Sequence, residues 1–261
     1  MEVKSIVTTS WDDGDRTDLK LAELLRTRDI QGTFYIPIKP YRPSSLNHAQ
    51  WRELVSEGFE IGAHGVSHKL LWKLSPEAVS EEVSPCKPFL EDIVGSEVGM
   101  FAYPCGRYDA NVVRVLKKAG YRGARTVRML STQSKFDPFE MPTTVQIFPH
   151  PPFTYLKNVA RGRDLDGLRV YLAQRARLDN WVELGKRLFD SVLQNGGIWH
   201  LYGHSWEIEE LGLWSALENL LDYVSGRRDV TYLPNRDLVR SSPAQTGNSG
   251  PTGNHEDNQR S

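Results

Sequence analysis

Only two cysteines occur in the chain's 261 residues, Cys86 and Cys105. They exclude a disulfide framework, and neither belongs to a C-x-x-C pair of the kind that binds zinc or runs thiol exchange. Excess charge of either sign is also missing. Thirty-two Lys and Arg stand against thirty-three Asp and Glu, a net charge of -1. Without a basic surplus there is no electrostatic case for a nucleic-acid partner or an anionic membrane surface. Long apolar runs are lacking too. The opening stretch MEVKSIVTTSWDDGD has no apolar core of signal-peptide length, and no later segment approaches a membrane span. The expectation is a cytoplasmic protein. Residues 241–261 contain no Val, Ile, Leu, Met or aromatic residue and are rich in Ser, Gly, Asn, Thr and Pro. Such a segment cannot bury enough apolar surface to offset its ordering entropy, so it reads as a disordered tail behind one domain over 1–240.

The rest of the chain alternates β-branched runs with amphipathic stretches. Strands are expected at Ser5–Ser10, Gly32–Ile36, Phe59–Ala63, Val98–Ala102, Arg122–Thr126 and Gly197–Tyr202, with weaker ones at Met141–Phe148 and Val230–Leu233. Helices are expected at Asp18–Arg28, Asn47–Ser56, after Ser75-Pro76, at Ala110–Ala119, Leu165–Arg177, Trp181–Gln194 and about Leu211–Val224. Pro85 and Pro88 must break or kink the helix that Ser75 caps. Repeated strand–helix units indicate an α/β fold with a parallel sheet, open or closed into a barrel.

Residues with chemistry cluster where strands end, and α/β folds build their sites there. The first strand runs into Trp11-Asp12-Asp13-Gly14. Adjacent carboxylates point different ways, so one can hold a metal while the other reaches a substrate; alone, the same residues would serve as a turn or helix cap. The third strand runs into His64-Gly65-Val66-Ser67-His68, and histidines four apart share a face if the segment is helical. With Asp13 they would form a two-His, one-carboxylate set with open positions, a catalytic rather than a closed structural site, suited to zinc, cobalt or another borderline divalent ion. Tyr103-Pro104-Cys105-Gly106 forms a tight turn after the fourth strand. In Trp199–Glu207, His204 should reach the rim, while His200 lies deeper and suits a core role.

Taken in order, these segments resemble the polysaccharide deacetylases of carbohydrate esterase family 4. Ser10–Gly14 matches the family's Thr/Ser-Phe-Asp-Asp-Gly run, His64 to His68 its His-x-x-x-His, and Tyr103–Gly106, loosely, its Pro-aromatic-Gly turn. The resemblance implies a seven-stranded, incomplete or distorted TIM-like (β/α) barrel. It implies Asp13, His64 and His68 as ligands of a divalent ion, zinc first, with Co, Mn and Ni as alternatives. Asp12 would be the general base and His204 the general acid. The Cys105 amide would share the oxyanion with the ion, and Trp11, Tyr103, Tyr202 and Trp206 would flank a sugar ring. The implied reaction is removal of the N-acetyl group from an N-acetylated sugar; a cytoplasmic oligosaccharide, nucleotide sugar or lipid-linked precursor suits the expected location. Ala102 stands where the family carries an arginine that orients the base, and the fourth motif is not recognisable around Arg125. Arg125 and Glu207, with His200, are candidates for supporting roles. A deformylase or amidase on the same scaffold, or a non-catalytic metal- or sugar-binding relative, are the rival expectations.

Overall fold

In the computed structural model the described residues are 4–162 and 164–240; the stretch read as a disordered tail lies outside them. Parallel strands curl into an incomplete barrel in the order β5-β4-β3-β2-β1-β7-β6. They are β1 (Ser5–Asp12), β2 (Thr33–Ile36), β3 (Glu60–Ala63), β4 (Met100–Ala102), β5 (Gly123–Arg125), β6 (Val145–Gln146) and β7 (Gly197–Gly203). The expected parallel α/β barrel is therefore present. β1 is the longest strand and has room for two partners on one flank. Its start pairs with β8 (Val230–Tyr232) and its end with β2, while β7 runs along the other flank from Ser5 to Trp11.

Helices α1 (Thr17–Arg26), α2 (His48–Ser56), α3 (Pro76–Val83), α4 (Cys86–Val94), α5 (Ala110–Lys118), α8 (Trp181–Asn195) and α10 (Trp214–Val224) accompany the strands. Local chemistry sets their ends. The Ser75 hydroxyl accepts from Ala78 N ahead of Pro76, and Asn47 and Gln50 form a reciprocal capping box. Pro85 does break the helix, so α3 and α4 are separate. Because side chains alternate along a strand, β1 sends Val7 and Trp11 outward into the apolar layer under the helices. Thr8, Ser10 and Asp12 face the axis, where they meet Asn235, His200 and Arg125. The interior of the curl is thus largely polar. Its apolar part, which includes Tyr35, Met100, Met141 and Ile198, is closed at the base by Leu238 and Val239 of α11 (Asn235–Arg240).

Several expectations change in detail. The Met141–Phe148 strand shrinks to β6, because Met141 bridges to Arg125 while Thr144 N bonds the His200 carbonyl. One segment therefore crosses the barrel's seam by changing partners. The helix expected over Leu165–Arg177 is α7 (Leu165–Gln174) followed by a 3-10 turn at Arg175–Arg177. Helices α6 (Pro152–Gly162), α9 (Ser205–Glu210) and α11 were not read from the sequence. Among the described residues no helix is long and apolar enough to cross a membrane.

Candidate active site

The strands deliver their last residues to one rim, and left-handed turns then aim the side chains. After Asp12 the backbone takes positive φ at Asp13 (81°) and Gly14 (63°). That bend brings the second carboxylate beside the first. His64 directly follows β3, and its Nδ1–H donates to the Ala102 carbonyl at 2.8 Å. A carbonyl can only accept, so the hydrogen sits on Nδ1 and the Nε2 lone pair faces the rim.

The segment His64–His68 is not helical, because Gly65 (φ 85°) and His68 (φ 56°) are both left-handed. A loop brings the two rings together instead, with centroids 4.7 Å apart. Glu82 of α3 holds that loop in shape. Its carboxylate accepts from Ser67 N (2.9 Å) and Ser67 Oγ (2.6 Å), and Lys69 Nζ lies 3.0 Å away. Sequence reading gave Glu82 no role.

Asp13 Oδ1 lies 3.8 Å from His64 Nε2 and 3.5 Å from His68 Nε2. One ligand atom from each of Asp13, His64 and His68 lies within 4.8 Å of the others. Asp13 Oδ2 accepts from Trp206 Nε1 at 2.9 Å, whereas the buried Oδ1 has no hydrogen-bond donor. A buried carboxylate oxygen without a donor, facing two imidazole nitrogens, is costly unless a cation fills the gap. Burial and the neighbouring His64 also pull His68 down to about 4, so the His68 ring favours the neutral, ligating form at neutral pH. This donor set fits a divalent metal ion of borderline softness.

Asp12 stands beside this cluster with different partners. Its Oδ1 accepts from Nη2 of Arg125, a fully buried side chain on β5. Its Oδ2 lies 3.8 Å from His64 Nε2 and 4.0 Å from His204 Nε2. Burial works against the carboxylate, but Arg125, His64 and His204 outweigh it and hold the group at about 2. Ala102 and Arg125 are direct partners in the β4–β5 register. The guanidinium that the resemblance leads one to expect on β4 thus comes from the next strand. It lies over the rings of Tyr35 (5.3 Å) and Tyr202 (4.8 Å).

His204 follows β7, and its Nδ1–H donates to Glu207 Oε2 at 2.7 Å. Burial lowers its pKa, but Glu207, Asp12 and Asp13 prevail and raise it above the usual histidine value. His200 lies four residues deeper along the strand, buried between Ser10 and the Pro142 carbonyl. Burial and Arg125 drop it to about 3, which keeps it neutral in the barrel's interior.

The other sequence candidates divide. Trp11 is fully buried on the outward face of β1 and does not reach the rim. Period two already sends it opposite to Asp12. Tyr103 is also buried, with its hydroxyl on the Phe139 carbonyl and its ring stacked on Tyr108, and Pro104 is buried beside it. Cys105 is exposed at the turn with φ 54°, followed by Gly106 at 67°. Partial burial, then the charges of Asp13 and Asp12, push its thiol up. Tyr202 lies buried beneath Arg125. Trp206 is half-buried and holds Asp13, and the Arg42 guanidinium sits 4.0 Å over its ring. Tyr41 stacks on His68 with centroids 4.2 Å apart. Neither Arg42 nor Tyr41 stood out in the sequence, because the loop that carries them has no motif of its own.

Comparison with known proteins agrees with this fold. The family described as polysaccharide deacetylase matches residues 2–124. The Bacillus subtilis protein YxkH, assigned as a polysaccharide deacetylase, is 26% identical over 77 residues, a match that spans 28% of its length and 30% of this chain. Among solved structures, a Mycobacterium smegmatis protein assigned as a polysaccharide deacetylase superposes with a TM-score of 0.63, covering 98% of this chain and 96% of its own at 15% identity. A family 4 acetyl xylan esterase from Clostridium thermocellum, solved with a cobalt ion, gives 0.59 over 92% and 93% of the two chains at 14% identity. At such identities the structural likeness is one of fold.

Proposed function

We propose, from the premise that over residues 2–124 the chain belongs to the polysaccharide deacetylase family, that it is a metal-dependent hydrolase. The reaction is removal of the acetyl group from an N-acetylated sugar or oligosaccharide, giving acetate and an amino sugar. The observation that carries this reading is the pairing of two unlike carboxylates. Asp13 faces His64 and His68 with an oxygen that has no donor, while Asp12 is kept apart by its own arginine.

Asp13, His64 and His68 would hold the ion, with zinc first and Co, Mn or Ni as alternatives. When bound, such an ion supplies Lewis acidity to the amide carbonyl and the attacking water. Asp12 takes the proton of that water. Arg125 keeps it ionised and fixes its direction, at the expense of intrinsic basicity. Glu207, Asp12 and Asp13 favour the protonated form of His204 against its burial, and its Nε2 faces the same space, so it is the group that donates to the departing amine. The exposed turn at Cys105 offers its amide to the developing oxyanion. Trp206 holds Asp13 through its indole N–H, and the Arg42 guanidinium lies over its ring.

The experiment measures metal content per chain beside acetate release from N-acetylglucosamine oligomers. Asp13→Ala should lose metal and activity together. Asp12→Asn should keep the metal and slow turnover by ~10²–10⁴. A metal-free Asp12→Asn would overturn the division of roles. Formate release in place of acetate would point to a deformylase, and metal binding without hydrolysis to a binding protein.

A further inference from the structure

A second cavity, of about 420 Å³, opens on the same rim and holds an unbalanced charge. Gly106 and Arg107, directly after the Cys105 turn, form part of its wall, and Trp72 of the loop beyond His68 forms another part. Its wall therefore draws on residues that directly follow the Cys105 turn and on the segment beyond His68. Its charged groups are Arg107, Arg128 and Arg161 against one carboxylate, Glu140. Only Arg128 meets that carboxylate, at 3.3 Å, and its Nη2 also donates to the Glu140 carbonyl at 2.6 Å. The buried Arg128 Nε has no hydrogen-bond partner. Arg107 lies 5.3 Å over the Trp72 ring, and among the described residues neither Arg107 nor Arg161 has an ion pair.

A neutral glycan needs donors and acceptors in alternation. Here the Glu140 and Asn158 side-chain acceptors already have partners. Asn158, also in the wall, spends its amide on the Val127 carbonyl and its oxygen on Met129 N. What remains are guanidinium donors, which cannot accept, beside the ring faces of Trp72 and Tyr108. Arg107 and Arg161, beside an Arg128 already paired with Glu140, leave the cavity with an excess of positive charge that favours an anion. The catalytic rim nearby carries Asp12, Asp13 and Glu207 and would repel an anion.

We propose that this pocket is the subsite for an anionic group, phosphate or carboxylate, on the sugar that is deacetylated, so that the substrate is an acidic amino sugar derivative. The identity of the reacting end rests on the deacetylase reading; the pocket's own affinity for the anion does not.

The test compares matched probes on the zinc-loaded protein, by equilibrium binding and by acetate release. N-acetylglucosamine 6-phosphate is set against N-acetylglucosamine, and a hyaluronan tetrasaccharide against chitotetraose, so that the two arms separate phosphate from carboxylate. At least one anionic probe should bind about tenfold or more tightly than its neutral counterpart, as expected for charge-assisted contacts. Added salt should erode that preference. Arg107→Gln with Arg161→Gln, both exposed positions, should abolish it and leave neutral-probe binding and zinc content unchanged. Equal affinity for both members of each pair, or equal losses for both in the double variant, overturns the proposal. Arginine-dependent binding without acetate release would leave the subsite standing and sink the deacetylase reading. Acetate release from neutral and acidic probes alike would do the reverse.

Discussion

Replacing Arg125 with methionine tests the electrostatic design of the barrel interior. In the parent, Asp12 is held at about 2 against an ordinary 3.8, so its pairing stabilises the fold above about pH 4 and is lost only as pH falls toward 2. Removing the guanidinium leaves burial opposed only by the two histidines, and the carboxyl moves up. Breaking one side of a buried pair costs ~3–5 kcal/mol. The low end applies here, because Arg125 Nε and Nη1 make no hydrogen bond, so their desolvation penalty disappears with the side chain. At ~2–4 °C per kcal/mol for a chain of this size, a loss of about 3 kcal/mol lowers the melting temperature by roughly 6–12 °C. The assay is thermal melting of chelator-treated protein, which keeps metal out of the comparison. The gap should be widest near neutral pH. It should narrow toward about pH 4, because the variant's raised carboxyl then takes its proton and the penalty lapses. A shift below about 2 °C, or a gap that ignores pH, would refute the claim that Arg125 is there for Asp12.

Trp206→Phe keeps the ring but removes the donor to Asp13, and should weaken zinc affinity ~10–100-fold in a chelator competition; unchanged affinity would mean that the contact does not orient the ligand. Glu207→Gln removes a charge that raises His204, so the alkaline limb of kcat/KM should move to lower pH, while a fixed limb would remove His204 from the role of acid. Gly62→Ala would place its Cβ 2.4 Å from the buried Tyr35 ring, and urea denaturation should show a loss of ~1–3 kcal/mol at unchanged m-value; a neutral result would mean that the barrel yields locally.

Much of the site was legible because strand ends are legible. SIVTTS before two aspartates, and the run into His64, each announce a parallel strand with chemistry at its tip, and alternation along β1 separates inward Asp12 from buried Trp11. The partnerships were harder to read. Nothing local says that Arg125 meets Asp12, since the contact depends on the curl of the sheet across 113 positions. The convergence of His64 and His68 comes from left-handed turns, which their spacing does not announce. The short α9 and α11 carry too few residues for a period to emerge, whereas α6 showed a signal in Pro152, Tyr155 and Val159 that went unread.

The pairing of Ala102 with Arg125 has a consequence for how such sites change over time. On a curled parallel sheet each functional group has an address in two coordinates, strand and level. Positions on neighbouring strands at one level aim at nearly the same point, so a guanidinium can be lost from one strand and gained on the next while its target stays put. Two substitutions, in either order through an intermediate that carries both arginines or neither, suffice for the exchange. Read along the chain, the guanidinium is missing at Ala102; read across the sheet at the same level, it stands one strand away at Arg125.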